Sequence, residues 1–128
     1  MKYLLDTHIF LWWLNGNKRL RRETKNIIAN PTNSIYVSIV SAWEIATKLK
    51  ANPNFKLKTS LKRCFEISEF ELISLTLNHI FQLEKLPLIH NDPFDRILIS
   101  QAKAEKLTLI TSNKKIGKYK VRLLKASP

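Results

Sequence analysis

The segment "HNDPFDRILISQA", residues 90–102, places two aspartates three residues apart at the start of an apolar stretch with the pattern of a buried helix. The chain contains only three aspartates, and the third is Asp6. A purely structural interpretation is available: Asp92 would be the N-cap of the helix, Pro93 its first residue, and Asp95 the partner in a capping pair. The alternative is that these acids belong to a functional site, and the rest of the sequence bears on that choice.

The composition is that of a compact globular protein. Hydrophobic residues make up 45% of the 128 residues and charged ones 25%, with only two glycines, so we expect a single domain over residues 1–128. The longest apolar stretch, Ile9 to Leu14, has six residues, far fewer than the roughly 20 that cross a bilayer. Asp6 and His8 interrupt the N-terminal apolar run, so no signal peptide is expected. We predict a cytoplasmic protein without a membrane segment.

The charge is strongly positive. Twenty-two Lys and Arg residues against ten Asp and Glu give a net charge of +12, which favours a polyanionic partner. The basic residues concentrate in two blocks, at 18–25 and 114–125, and the second block contains no acidic residue. Nucleic acid is the favoured partner, and an acidic protein is the main alternative.

Apolar segments of two kinds alternate along the chain. Strands are predicted at residues 2–6, 34–38, 71–75, 108–112 and 120–125. Helical segments are predicted from Thr7, as the cap, to about Asn15, and at 18–29, 41–51, 58–70 with Ile67 facing inward, 76–86, 94–106 and, as a short turn, 113–119. This alternation predicts an α/β fold with a mostly parallel sheet and helices on both faces.

Polar side chains follow the carboxyl ends of the predicted strands, where functional groups gather in such sheets. Asp6 ends the first strand, Glu44 follows the second, and Thr111 and Asn113 end the fourth. A parallel sheet would bring these positions close to the start of the helix at Asp95. All three aspartates of a chain poor in acid would then meet in one place, which favours a functional site.

Clustered carboxylates repel one another unless a cation lies between them, and a hard divalent ion with oxygen ligands is the usual solution. Asp6, Glu44 and Asp95, with Asp92 beside them, would suit magnesium and the hydrolysis of phosphodiester bonds. Zinc fits less well, because the three histidines do not form a ligand pair at short spacing.

Four segments together resemble the PIN-domain ribonucleases, and among them the VapC-type toxins of toxin–antitoxin modules. They are "LLDTH" (4–8), "VSIVSAWEIATK" (37–48), "HNDPFDRILISQA" (90–102) and "LTLITSNKKIGKY" (107–119). The resemblance covers essentially the whole chain. It implies a PIN-like three-layer α/β/α sandwich, RNA cleavage that depends on Mg²⁺ or Mn²⁺, inhibition by a cognate VapB-like antitoxin, and a homodimer.

The resemblance also implies roles for individual residues. Asp6, Glu44 and Asp95 would be the metal ligands, and together with Asp92, the additional acid of the "DPFD" pattern, they would be the catalytic acids. Thr111 and Asn113 would support them. The expected contacts to RNA are Arg96, Lys114 and Lys115.

One position departs from the family pattern, because Asn113 stands where a fourth acid is usual. Its amide oxygen could still bind water or a metal ion, and Asp92 could supply part of the missing charge. The substitution leaves open a second hypothesis, an RNA-binding protein that has lost catalysis. A third, a phosphoaspartyl enzyme of the haloacid-dehalogenase type, ranks last because His8 stands where that class has a second aspartate.

Overall fold

A computed structural model describes residues 1–126 of the chain, and within them the backbone forms five strands and six α-helices. The strands are β1 (Lys2–Leu5), β2 (Ser34–Ser38), β3 (Glu71–Ile73), β4 (Thr108–Thr111) and β5 (Leu123–Lys125). They form one sheet in the order β3-β2-β1-β4-β5, and all four pairings are parallel. The predicted α/β fold with a parallel sheet is confirmed.

Helices cover both faces of this sheet. They are α1 (Thr7–Asn15), α2 (Arg22–Ala29), α3 (Ile39–Ala51), α4 (Leu61–Ser68), α5 (Leu77–Lys85) and α6 (Pro93–Glu105), followed by a 3-10 helix at Lys114–Lys118. One core lies between the sheet and the helices α1, α2 and α4. The other lies between the sheet and the helices α5 and α6. The result is a three-layer α/β/α sandwich, as expected.

Successive residues of the central strands point into opposite cores, because side chains alternate along a strand. In β1, Leu5 packs into the core of α1 and Leu4 into the core of α6. In β4, Ile110 packs into the core of α1 and Leu109 into the core of α6. Burial on both faces explains why these strands are continuous apolar runs.

The start of α1 differs from the prediction. Asp6, not Thr7, is the N-cap, and its Oδ1 accepts a hydrogen bond from the Ile9 amide at 2.8 Å. Thr7 is the first helical residue, and its Oγ1 lies 2.9 Å from Ser41 Oγ. The helix ends at Gly16, which has a φ of 61°, a conformation that favours glycine.

Several other elements have different bounds from those predicted. α2 begins at Arg22 rather than at residue 18, α3 begins two residues early at Ile39, and β3 and β5 are shorter than expected. α4 covers 61–68 rather than 58–70, because Ser60 caps its start and Glu69 ends it with a φ of 58°. Ile67 was predicted to face inward and is instead 49% exposed. These differences leave the order of elements unchanged.

The sheet order places the site. β1 lies between β2 and β4, so the strand order reverses beside it, and in parallel sheets ligands bind at such a point. The carboxyl ends of these strands lead into α1, α3 and the 3-10 helix. In the described part of the chain, no helix is long and apolar enough to cross a membrane.

Candidate active site

Four acids converge at the carboxyl edge of the sheet, and together we call Asp6, Glu44, Asp92 and Asp95 the acidic site. Asp6 follows β1 and is only 3% exposed. Its backbone amide donates to Ile110 O of β4 at 3.0 Å, which fixes the residue between two strands. Its capping bond to Ile9 gives this acid a structural role, and that role does not exclude a functional one.

Glu44 enters from α3 and is 5% exposed. Ser38 at the end of β2 caps that helix by accepting from the Val40 amide at 3.0 Å, so the helix turns the carboxylate inward. Among residues 1–126, Glu44 Oε1 is buried without a hydrogen-bond partner. Its other oxygen, Oε2, lies 4.0 Å from Lys48 Nζ, at the limit of an ion pair.

Asp92 and Asp95 occupy the start of α6. Asp92 is the N-cap, as the structural interpretation predicted, and its Oδ1 accepts from the amides of Phe94 at 3.0 Å and Asp95 at 3.3 Å. Asp92 is exposed and Asp95 is buried. Asp95 turns toward β4, where its Oδ2 accepts from Asn113 Nδ2 at 3.1 Å.

The buried carboxylates have raised pKa values. Burial raises the pKa of Asp6 to about 7, the negative charges of Asp95 and Glu44 add to the rise, and a hydrogen bond from Thr111 opposes it. Burial likewise raises the pKa of Glu44. Burial and then the charge of Asp92 raise that of Asp95. The acids therefore repel one another electrostatically. Lys48 lowers the pKa of Glu44 and His90 lowers that of Asp95, but both pKa values remain raised.

These residues fit a hard divalent cation by the chemistry of their donors. All are carboxylate oxygens, and the unpartnered Glu44 Oε1 is available to a ligand. Across residues 1–126, however, no three His, Cys, Asp or Glu side chains are close enough to hold one ion together. Magnesium keeps several of its waters when it binds, so these carboxylates would hold an ion partly through water.

The two supporting residues act on the acids directly. Thr111 lowers the pKa of Asp6 by hydrogen bonding to its side chain, and its Oγ1 accepts from the Asn113 amide at 3.0 Å. Asn113 uses both ends of its side chain, since Nδ2 contacts Asp95 and Oδ1 accepts from the Lys115 amide at 3.0 Å. From the sequence, the amide oxygen of Asn113 could have replaced the missing carboxylate as a ligand. In the structure that oxygen caps the 3-10 helix.

Sequence reasoning missed His90. Its Nε2 lies 3.6 Å from Asp95 Oδ2 and, in the described chain, has no hydrogen-bond partner. Its Nδ1 lies 2.8 Å from the hydroxyl of Tyr119. A search for metal-ligand spacing among histidines could not find this residue, because its partners are a carboxylate and a phenol from other segments. Its position directly before "NDPFD" was the available signal.

The predicted RNA contacts differ in their surroundings. A cavity of about 530 Å³ opens over Asp92 and Asp95, and the side chains of Lys115 and Lys118 line it. Lys114 is exposed and lines a smaller neighbouring cavity. Arg96 donates through Nη1 to Pro87 O at 2.8 Å and to the Tyr119 hydroxyl at 3.1 Å, so part of its guanidinium is bound within the fold.

Comparison with known proteins gives a family match and several structural neighbours. Residues 3–121 match the PIN domain family. VapBC2 from Rickettsia felis, bound to a DNA fragment from its promoter, aligns with a TM-score of 0.74 and 22% identity over 97% of this chain and 98% of the other. DNA-bound VapBC from Salmonella typhimurium gives 0.68 and 15% over 97% of both chains. A toxin–antitoxin complex from Klebsiella pneumoniae gives 0.63 and 20%, also over 97% of both. No curated protein matches the sequence.

Proposed function

Because this chain belongs to the PIN domain family, we propose that it is a divalent-metal-dependent endoribonuclease and the toxin of a toxin–antitoxin pair. One observation carries the proposal. Three buried carboxylates from three elements share one edge of the sheet, and each has a raised pKa. Burying acids where they repel one another costs stability unless they bind a cation, so their gathering in this strongly basic protein favours a cation site.

Each acid has a distinct task in this proposal. Asp6 and Asp95 would hold Mg²⁺ or Mn²⁺, partly through water, and Glu44 would bind the same ion through a water molecule or orient the attacking water. A bound ion of this kind lowers the pKa of water and stabilises the charge that develops on the phosphate. Asn113 keeps Asp95 in place through its 3.1 Å hydrogen bond, and Asp92 adds negative charge beside the buried acids.

The RNA backbone would follow the basic side of the site. Lys115 projects into the cavity over Asp92 and Asp95, and Lys114 precedes it on the exposed face of the 3-10 helix. Both are placed to neutralise phosphates. Arg96 would contribute only through the part of its guanidinium that the bonds from Nη1 leave free.

A VapB-like antitoxin, a homodimer and a cytoplasmic location belong to the same proposal. Support for the antitoxin comes from the structural neighbours, which are VapBC or toxin–antitoxin complexes. Their sequences are 15–22% identical to this one, so they show the fold, and the partner is an inference from it.

The test is cleavage of a mixed pool of transfer and ribosomal RNA by the purified protein. Reactions contain Mg²⁺, Mn²⁺ or EDTA, and a variant with Asp6→Asn and Asp95→Asn is run beside the wild type. We expect discrete fragments with either metal and none with EDTA or with the variant. Fragments that persist equally in the variant would show that the cleavage does not depend on Asp6 and Asp95 and would overturn the proposal.

A second candidate function is an RNA-binding protein without catalysis. It is favoured by Asn113, which stands where the family pattern has a fourth acid. Asn113 contributes no charge, and its amide nitrogen and oxygen are already hydrogen-bonded to Asp95 and to the Lys115 amide. This candidate predicts that wild type and double variant bind RNA and that neither cleaves it with either metal.

A further inference from the structure

An exposed aromatic side chain stands beside the acidic site. Trp43 is 59% exposed, although tryptophan side chains are highly buried on average. Its ring meets that of Phe94 edge to face, with centroids 4.9 Å apart and an interplanar angle of 79°. This contact fixes the orientation of the indole and leaves more than half of it open to solvent.

The sequence positions of the two rings tie them to the acids. Trp43 directly precedes Glu44 on α3, and Phe94 directly precedes Asp95 in the first turn of α6. Successive helical residues point in directions about 100° apart, so the acids turn into the site while the rings remain at its rim. On each of the two helices, an aromatic residue at the rim is therefore followed directly by a buried acid.

The charge around this rim indicates what could cover the indole. Lys48 lies one turn beyond Glu44, with its Nζ 4.0 Å from that carboxylate. On the other side of Asp95, Lys115 and Lys118 line the cavity. A ligand that spans these groups must combine a flat apolar surface with negative charge. An unpaired base of single-stranded RNA, joined to its phosphates, has both properties.

We propose that Trp43, braced by Phe94, is a stacking platform for one unpaired base next to the phosphate that is cleaved. This inference rests on the proposed function, because it takes RNA as the substrate. A paired base is already stacked within its helix and would be excluded, so the platform would select single-stranded segments and loops. Trp43 would thus determine which RNA binds without taking part in the chemistry.

The experiment measures binding in EDTA, where no cleavage is expected. Fluorescence anisotropy reports the affinity of the full-length protein for a short fluorescein-labelled single-stranded RNA and for the same RNA annealed to its complement. We expect Trp43→Ala to weaken single-strand binding roughly tenfold, the scale of one lost base–aromatic stack, and to leave duplex binding unchanged. Trp43→Phe should retain most of the affinity.

Phe81→Ala is the matched control, since Phe81 is 55% exposed and lies on α5 rather than at the rim; it should bind like the wild type. RNAs with a single abasic position add a direct test. Removing the stacked base should weaken the wild type and have no effect on Trp43→Ala.

Two results would overturn the inference: wild-type affinity in Trp43→Ala, or equal losses for single strand and duplex. If wild-type affinity is accompanied by loss of a dimer in light scattering, a second copy of the chain covers the indole. Cleavage by the wild type with metal is measured separately. If the wild type cleaves RNA and Trp43→Ala binds it normally, the proposed function stands and the stacking platform does not. If binding depends on Trp43 but the wild type never cleaves, the stacking platform stands and the proposed nuclease activity does not.

Discussion

The hydroxyl of Tyr119 lies 2.8 Å from Nδ1 of His90, and this contact determines which nitrogen of the neutral imidazole carries hydrogen. In the described chain the same oxygen accepts from the amides of Ile89 and His90, at 3.3 and 3.2 Å, and from Arg96 Nη1 at 3.1 Å. Its own hydrogen is then directed to His90 Nδ1. In a neutral His90 the other nitrogen, Nε2, would then carry the hydrogen, and it faces Asp95 Oδ2 at 3.6 Å.

The first prediction is that Tyr119→Phe changes the tautomer of His90. Removing the hydroxyl leaves Nδ1 without its donor and leaves the amides of Ile89 and His90 without an acceptor, while Arg96 Nη1 keeps its bond to Pro87 O. We expect nitrogen NMR shifts to show hydrogen on Nε2 in the wild type and a mixture in the variant. We also expect a loss of about 1–3 kcal/mol in the free energy of unfolding.

Tyr3→Phe is the control, because that buried hydroxyl makes only a 3.6 Å contact with Met1 Sδ. It should change neither the tautomer nor, by more than a few tenths of a kcal/mol, the stability. Hydrogen on Nδ1 in the wild type would contradict the assignment.

The fold was predictable because its signals are local. The apolar runs at β1 and β4, separated by helical segments, require a parallel sheet buried on both faces. The "DPFD" segment predicted its own cap, since Asp92 needs only the amides of Phe94 and Asp95, two and three residues later. The C-terminal bound of α4 was missed because Glu69 ends the helix with a φ of 58°, a backbone angle that residue type alone does not fix.

The site was predictable only in part. Asp6 and Glu44 follow the ends of β1 and β2, Asp95 lies in the first turn of α6, and topology then brings them together. The pairing of His90 with Tyr119 spans 29 residues, and no periodicity links them. The contacts of Asn113 likewise depend on the turn after β4, which places its side-chain oxygen to accept from the Lys115 amide.

The second prediction concerns pH and Asp6. Its pKa of about 7 in the folded state lies above the ordinary value of 3.8, so folding takes up a proton between these values. This group's contribution to stability is fully present below about pH 4 and is lost as the pH rises through 7. In EDTA, Asp6→Asn should therefore be more stable than the wild type at about pH 8, by up to about 4 kcal/mol, because one pKa unit corresponds to about 1.4 kcal/mol.

Urea unfolding across this pH range measures the difference, which should vanish at the acid end. Glu66→Gln, an exposed acid on α4, should follow the wild type throughout. A wild type as stable as Asp6→Asn at about pH 8 would show that Asp6 ionises normally. Excess Mg²⁺ or Mn²⁺ should stabilise the wild type more than the variant.

The third prediction concerns Gln101, which is fully buried on α6. Its Oε1 accepts from Ser38 Oγ at 2.6 Å, and its Nε2 lies 3.4 Å from both Ser74 O and His79 Nδ1. Gln101→Leu would leave Ser38 buried without its acceptor and should destabilise the protein by about 1–3 kcal/mol in urea unfolding. Gln82→Leu, at a partly exposed position on α5, should have little effect; equal losses in the two variants would show that the buried bonds contribute nothing special.

The fourth prediction adds the acid that the family pattern expects. In Asn113→Asp the side chain can still cap the Lys115 amide, but the donor to Asp95 is lost and a negative charge faces Asp95 Oδ2 across about the 3.1 Å that the bond now spans. Without metal, the variant should unfold at a lower temperature than the wild type, because like charges are then buried together. With Mn²⁺ the order should reverse or the gap should close, since the added carboxylate strengthens the attraction for a cation.

Calorimetric titration with Mn²⁺ measures that attraction directly, and the variant should bind at least several-fold more tightly. Asn26→Asp, on the exposed face of α2, adds the same charge away from the acidic site and controls for net charge. Asp92→Asn removes a neighbouring charge, and it should weaken binding if Asp92 replaces part of the missing acid. If Asn113→Asp binds Mn²⁺ no better than the wild type does, then position 113 does not face the cation, and Asn113 serves only to hold Asp95.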